Sequence, residues 1–199
     1  MAIYFTADTH FGHGNIINYC GRPFPTLAEH NETMIANWNH RVRPEDYVYH
    51  LGDFGWGSPD YLAKVAGRLT GKICFIKGNH DKASVIKEGG LLARRFVFVK
   101  DVHFLTVQHK GKKYEIFLSH YAHRTWPKSN HGSIHLFGHS HGNMPSHGRS
   151  FDVGVDCWNF TPVSMDQIIN KVSTLTVALD YTNRGKGKDN DLHLDIDSE

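Results

Sequence analysis

The segment AIYFTADTH at residues 2–10 is an apolar run that ends in an aspartate and a histidine two residues apart. The β-branched and aromatic residues of the run predict a strand, and Asp8 and His10 follow at its carboxyl end. Runs of the same kind predict further strands at 47–51, 72–77, 96–107, 114–119 and 133–138. Most of these runs are also followed directly by polar residues, so the arrangement of the first segment, an apolar strand followed by polar side chains, recurs along the chain.

Two segments between the early strands have the apolar spacing of helices. They lie at 26–42 and 58–69, and Thr26 and Ser58 are suitable N-caps. The resulting β-α-β-α-β order predicts a parallel sheet with covering helices, whereas the strand-rich second half, with a hairpin turn at 111–113, predicts a second, mixed sheet. We therefore expect an α/β fold, a layered sandwich of two packed mixed sheets flanked by helices.

Length and composition are those of one soluble globular domain. The chain has 199 residues, of which 40% are hydrophobic and 21% are charged. The sequence loses apolar residues after Asp180. We therefore expect a single domain over 1–180 and a polar, mobile C-terminal tail over 181–199.

Charge and segment composition argue against membrane and tight nucleic-acid binding. The formal net charge is +2, and basic and acidic residues are mixed along the chain. No apolar run approaches the roughly 18 residues that span a bilayer, and the first residues lack the features of a signal peptide, so we expect a cytoplasmic protein. Three widely separated cysteines argue against both a disulfide framework and a thiolate zinc site.

Polar segments follow five of the predicted strands, and their side chains are typical metal ligands. The carboxyl ends of strands in an open α/β sheet border one crevice, so these segments should converge. Two carboxylates, four imidazoles and one amide are too many for one ion and suit two divalent cations, with Asp53 as the bridging carboxylate. Donor type leaves manganese, iron, zinc, nickel and cobalt open, and manganese is preferred. The predicted ligands are Asp8, His10, Asp53, Asn79, His120, His139 and His141.

The ordered motifs DTH (8–10), GD (52–53), GNHD (78–81), SH (119–120) and GHSH (138–141) resemble those of the calcineurin-like metallophosphoesterases. The resemblance covers residues 1 to about 165 and implies two packed mixed sheets flanked by helices. It also implies hydrolysis of a phosphate ester by in-line attack of a metal-bound hydroxide. One metal would be held by Asp8, His10, Asp53 and His141, and the other by Asp53, Asn79, His120 and His139.

The resemblance further implies catalytic roles next to the amide ligand. His80 would contact the substrate phosphate and protonate the leaving oxygen, and Asp81 would orient His80. Imidazole is suited to this role because it transfers protons near neutral pH, and a carboxylate partner fixes its tautomer.

The substrate is expected to be a small, nucleotide-like phosphate ester, cleaved by a phosphodiesterase or phosphatase. The segment GDFGWGS at 52–58 lacks the GDxxDRG pattern of protein phosphatases, and the compact chain is closer to small bacterial and phage phosphoesterases. Side chains near the ligands predict the substrate contacts: His13, Arg22, His123 and Arg124. Trp126 could stack a base but fits a packing role better, and the FGW run at 54–56 is interpreted as core.

Two other functions stay open at this stage. One is a nuclease that acts on single strands or ends, and the other is a metal-stabilised binding module without turnover. The intact His80 and Asp81 argue against the binding module, because a site without turnover has no need of a general acid. A homodimer is also possible.

Overall fold

The computed structural model describes residues 1–84 and 86–177. The expected tail at 181–199 lies outside the described residues, so the domain boundary at 180 stays a prediction. In chain order the elements are β1 (Ile3–Thr6), α1 (Asn15–Tyr19), α2 (Leu27–Arg41), β2 (Tyr47–His50), α3 (Pro59–Arg68), β3 (Lys72–Ile76), β4 (Phe96–Lys100), β5 (Val102–His109), β6 (Lys112–Ser119), β7 (Ile134–Phe137), β8 (Ser150–Asp152), β9 (Val163–Ser164) and α4 (Met165–Ser173).

The strands form two mixed sheets, as predicted. The first has the order β4-β3-β2-β1-β9, in which β1 to β4 are parallel and β9 is antiparallel to β1. The second has the order β5-β6-β7-β8, with an antiparallel β5–β6 pair and parallel β6–β7 and β7–β8 pairs. The sequence analysis did not predict α1, β8, β9 or α4.

The single strand predicted at 96–107 is wrong. The run divides at Asp101 into β4, which pairs with β3, and β5, which pairs with β6 in the other sheet. Aspartate is disfavoured inside strands, and Asp101 is exposed in an ion pair with Lys77 at 2.5 Å. The apolar residues on both sides of Asp101 therefore belong to different sheets, and the chain passes from one sheet to the other at this residue.

The predicted helix caps are confirmed, whereas the hairpin turn predicted at 111–113 lies at 110–111, because residues 112 and 113 already belong to β6. Thr26 accepts a hydrogen bond from the Glu29 amide at 3.2 Å, and Ser58 accepts one from the Tyr61 amide at 3.2 Å. The β5–β6 hairpin turns through residues 110–111, which both have left-handed backbone angles (φ 48° and 78°), as two-residue hairpins require.

Two layers of buried side chains hold the sandwich together. One layer lies between the two sheets. It contains Phe5, Leu51 and Ile76 from the first sheet and the loop that follows β2, and Leu118 and Leu136 from the second sheet. A separate cluster joins the outer face of the first sheet to α2 and α3 and includes Val48, Phe75, Met34, Trp38 and Leu62. Each sheet is thus fixed by burial of its apolar faces, and the loops at the strand ends are anchored on this core.

Candidate metal centre

The loops that leave β1, β2, β3, β6 and β7 bring all seven predicted ligands together. Six of the predicted ligands form two groups of three whose ligand atoms all lie within 4.8 Å of one another: Asp8 with His10 and His141, and Asp53 with His120 and His139. The seventh, Asn79, places its Oδ1 atom 2.8 Å from Nε2 of His120. The grouping is the one that the resemblance implied for two metals.

Asp53 lies between the two groups. Its Oδ2 atom is 3.6 Å from Nε2 of His10 in one group and 3.5 Å from Nε2 of His120 in the other. Its Oδ1 atom accepts a hydrogen bond from the backbone amide of His80 at 2.9 Å, which fixes the carboxylate plane. The Asp53 carboxylate thus lies within reach of ligand atoms in both groups.

The first group has buried polar atoms that lack protein partners. Oδ1 of Asp8 and Nε2 of His10 have no hydrogen-bond partner, although both side chains are almost fully buried. Burial, and then the nearby carboxylates of Asp152 and Asp53, raise the pKa of Asp8 well above its usual range. Burial, and then the positive charge of Arg22, lower the pKa of His10, which keeps its imidazole neutral. A cation bound here would give Oδ1 of Asp8 and Nε2 of His10 a partner, and it would offset the repulsion among the carboxylates of Asp8, Asp53 and Asp152.

In the second group, two hydrogen-bond acceptors face each other. Nδ1 of His120 donates to the Leu51 carbonyl at 2.7 Å, so in the neutral ring Nε2 is an acceptor. That Nε2 atom faces Oδ1 of Asn79, which is also an acceptor. Burial lowers the pKa of His120, although Asp53 opposes this effect, so the neutral ring is favoured. The donor set of both groups, made of carboxylate, amide oxygen and imidazole nitrogen, fits a pair of divalent cations.

The carboxylate of Asp156, which the sequence analysis missed, positions His141. Its Oδ2 atom accepts from Nδ1 of His141 at 2.7 Å, which leaves Nε2 available as a ligand. Burial raises the pKa of Asp156, but hydrogen bonds from His141 and Arg22 outweigh this effect and lower the pKa overall. Asp156 lies in a 3-10 turn between β8 and β9 and does not follow a strand, so no motif pointed to it.

Arg22 binds the Asp156 carboxylate through its guanidinium group, and the structure contradicts its predicted contact with substrate. Its Nε and one terminal nitrogen donate to the Asp156 carboxylate at 2.8 and 2.7 Å. The remaining N–H groups reach the carbonyls of Asp8 and Thr9 and Nε2 of His30. All five N–H groups are therefore used within the protein, and Arg22 acts by fixing the loop that carries Asp8.

Asp81 also has a different role from the predicted one. Its carboxylate accepts from the backbone amides of Gly78 and Asp53 at 2.7 Å each and of Phe54 at 3.0 Å, and not from the His80 ring. Burial raises the pKa of Asp81 to about 6, against the lowering effect of these amides. The prediction that Asp81 orients His80 is wrong; Asp81 ties the loop after β3 to the loop after β2.

His80 lies at the exposed edge of the site, as a residue that meets substrate should. Its ring centroid is 5.6 Å from that of His10 and 6.2 Å from that of Trp56. His13, another predicted substrate contact, lies 5.5 Å from His10 and stacks on Trp56 at 5.4 Å. Trp56 is 45% exposed, so the prediction that the FGW run is entirely core is wrong at this residue.

The other predicted substrate contacts lie on the side of the second group. His123 lines a cavity of about 410 Å³ together with Asn79, His120 and Tyr121. Arg124 follows on the same loop and is exposed. Trp126 is only 5% exposed and donates to the Ser133 carbonyl at 3.3 Å, which confirms the packing role that the sequence favoured for it.

Five of the seven predicted ligands have left-handed backbone conformations. Their φ angles are 58° at Asp8, 49° at His10, 57° at Asp53, 67° at His139 and 47° at His141. Such angles are uncommon outside glycine, and where they cluster they mark sites whose geometry the surrounding fold imposes. The neighbouring glycines allow the loops to approach: a Cβ atom on Gly78 would lie 2.2 Å from Oδ1 of Asp53.

Comparisons with known proteins agree with this geometry. The sequence profile of the calcineurin-like phosphoesterase superfamily domain matches residues 1–165. An uncharacterized protein of Methanocaldococcus jannaschii is 34% identical over 179 residues, which span 85% of this chain and 90% of that protein. The gene 66 proteins of mycobacteriophages L5 and D29 are 27% and 25% identical, and the matches span 85% and 89% of this chain and 93% and 98% of the phage proteins.

A solved structure supports the fold. The crystal structure of a protein of unknown function from Aquifex aeolicus is similar with a TM-score of 0.63 and 26% sequence identity, over 85% of this chain and 98% of that one. Within residues 1–84 and 86–177, the helices are too short or too polar to cross a bilayer.

Proposed function

Because this chain belongs to the calcineurin-like phosphoesterase superfamily, we propose that its two groups of ligands form a dinuclear metal centre that hydrolyses a small, nucleotide-like phosphodiester or phosphomonoester. The coarser function, that of a metal-dependent phosphoesterase, follows from family membership. The observation that best supports the dinuclear centre is the position of the Asp53 carboxylate within reach of ligand atoms from both groups.

The proposed metal ligands come from five loops. Asp53, with Asp8, His10 and His141 on one side and Asn79, His120 and His139 on the other, would hold the cations. Divalent cations bound there would lower the pKa of the attacking water and offset negative charge on the phosphoryl oxygens. Manganese is the expected metal among the five that the donor types leave open, and it is used for reconstitution. The manganese preference, a cytoplasmic location and a homodimer stay predictions.

His80 is the proposed general acid. Its backbone amide is fixed on Asp53, and its ring stands at the exposed edge of the ligand cluster next to Trp56. A ring in this position can reach the leaving oxygen of an ester whose phosphate sits on the metal side. With Asp81 assigned to the loops, His80 is the residue that argues for turnover and against a binding module.

The test is hydrolysis of bis(4-nitrophenyl) phosphate and 4-nitrophenyl phosphate by manganese-loaded protein, with calorimetric titration of the metal. We expect two bound manganese ions per chain and metal-dependent turnover, with Asp53→Asn lowering both. His80→Ala should lower turnover but keep the metal stoichiometry, whereas His40→Ala, at an exposed position of α2, should change neither.

The outcomes separate the alternatives. Two bound metals without turnover of either ester would favour the binding module. Digestion of single-stranded DNA that exceeds turnover of both small esters would favour the nuclease. A single bound metal would contradict the dinuclear centre.

A further inference from the structure

Exposed tyrosine and tryptophan side chains border the candidate site. Among the described residues, the tyrosines and tryptophans classed as exposed are Tyr19 (74% exposed), Trp56 (45%) and Tyr121 (51%). Tyr19 contacts His13, Trp56 contacts His13 and His80, and Tyr121 contacts His120 and His139. Large aromatic rings are normally buried on at least one face, so their gathering at one site indicates a ligand that covers them.

We propose that Trp56 is a stacking platform for a nucleobase, and that the substrate is therefore a phosphate ester that carries a base. The proposal rests on the proposed function, because it assumes that the phosphate is bound at the metal centre. Indole is a favourable stacking partner for any base, since every base has a π-face.

The backbone holds Trp56 in place before any ligand binds. Its amide donates to the Phe11 carbonyl at 2.7 Å, next to the ligand His10. The two loops approach so closely that a Cβ atom on Gly12 would lie 2.3 Å from the Trp56 carbonyl oxygen. Likewise, a Cβ atom on Gly55 would lie 2.6 Å from the Phe11 carbonyl oxygen. The loop that carries the indole is thus attached to a loop that carries ligands, and little ordering is left to occur on binding.

A cleft of about 140 Å³ lies between Trp56 and His80 and is also lined by Gly55, Gly57 and Lys82. A cavity of about this size holds one benzene-sized ring. The His13 ring stacks on the indole with an interplanar angle of 22° and so covers part of one indole face, which leaves the other face for a base. A base in the cleft would therefore be close to His80, the proposed general acid, whose ring centroid lies 5.6 Å from that of the ligand His10.

Lys82 gives the cleft a positive charge. Its Nζ atom lies 4.5 Å from the centre of the indole ring, a cation–π distance, and the side chain is exposed. A stacking base can displace this flexible side chain, and the ammonium group can then bind an anionic oxygen of the same ligand. A planar ring next to a phosphate is the combination that a nucleotide provides.

The experiment compares two esters with the same leaving group, thymidine 5′-(4-nitrophenyl phosphate) and methyl 4-nitrophenyl phosphate. The readout is the ratio of their kcat/KM values. We expect Trp56→Ala to lower this ratio by about tenfold, the usual order for loss of one stacked base. Trp56→Phe should keep most of the ratio because phenylalanine retains a π-face. Phe104→Ala removes an exposed aromatic on β5 and should leave the ratio and both rates unchanged.

A second measurement does not depend on turnover. Thymidine 5′-monophosphate should quench the intrinsic fluorescence, whereas ribose 5-phosphate should not, and Trp56→Phe should abolish the quenching. An unchanged ratio in Trp56→Ala, or quenching that survives in Trp56→Phe, would overturn the platform. If wild-type protein cleaves neither ester, the proposed function fails, and the quenching still decides whether a base binds at Trp56.

Discussion

The contact between Asp156 and Arg22 gives a prediction whose size can be worked out from the structure. Asp156→Asn keeps the shape of the side chain but replaces a carboxylate with a neutral amide. The carboxylate accepts from Nδ1 of His141 at 2.7 Å and from two nitrogens of Arg22 at 2.8 and 2.7 Å. The Arg22 side chain is fully buried, and that of Asp156 is 10% exposed.

Two losses should follow from this substitution. Removing one partner of a buried ion pair costs about 3–5 kcal/mol, and we expect about 3 kcal/mol because Arg22 keeps its bonds to two carbonyls and to His30. The amide also fixes the His141 tautomer less strongly, and losses of this kind weaken metal binding by about 10- to 100-fold.

Urea unfolding with chelator present measures the first loss, and manganese titration of the folded protein measures the second. Asp166→Asn on α4 is the matched control: it loses only exposed ion pairs with His109 and Lys110, so it should lower the unfolding free energy by at most about 1 kcal/mol and leave the manganese affinity unchanged. The double variant Arg22→Met with Asp156→Asn should be less destabilised than the sum of the two single variants, because no unpaired buried charge remains. Wild-type unfolding and wild-type manganese affinity in Asp156→Asn would refute the positioning role.

Three further predictions follow from burial and backbone geometry. Burial, and then His123, lower the pKa of His135 to about 3. Below about pH 6.5 the unfolded chain therefore binds a proton at His135 that the folded chain does not bind, and the unfolding free energy decreases as the pH decreases. His135→Gln should thus reduce the loss of unfolding free energy between pH 7.5 and pH 5 by about 2 kcal/mol, and equal losses in both proteins would count against this account; exposed His40→Gln is the control. Gly78→Ala should abolish tight manganese binding in titrations because the new Cβ would meet Asp53, whereas Gly67→Ala, with open space in α3, should raise the unfolding free energy by about 0.5–1 kcal/mol. His141→Gly should unfold in chelator with about 1 kcal/mol more free energy than His141→Ala, because glycine adopts a φ of 47° without strain; a more stable alanine variant would argue against strain at this position.

The sequence predicted that the seven proposed ligands lie close together, because the signal for their positions is local. A strand is visible as an apolar run, and the residue after it must lie at the carboxyl edge of the sheet, so Asp8, Asp53 and His120 could be assigned to one crevice without knowing the packing. The two-sheet architecture followed from the same runs together with the order of strands and helices.

The remaining parts of the site depend on distant contacts that no local pattern records. Asp156 is 134 residues from Arg22 in sequence, and the two meet only because β8 and the turn after it return to the loop that carries Asp8. Trp56 is apolar, so hydropathy assigned it to the core, although its ring is 45% exposed in a loop held close to Phe11. Asp81 was linked to its sequence neighbour His80, although its nearest donors are backbone amides of two different loops.

Strain and charge at the site together explain why folding and metal binding should be coupled. Backbone bonds from Asp8 to Gly52 and from His10 to Asp53 hold the two ligand loops in register, and this register requires left-handed angles at all three ligands. A non-glycine residue with such an angle costs roughly 1–2 kcal/mol, and the buried carboxylates of Asp8 and Asp53 repel each other. Both costs are present in the folded chain and absent from the unfolded chain, whereas a cation that binds only the folded chain lowers its free energy by RT ln(1 + [L]/Kd). Binding of the ion should therefore stabilise the site more than any other part of the fold. Before the ion binds, the apolar core on both sides of the first sheet keeps the ligand loops in place.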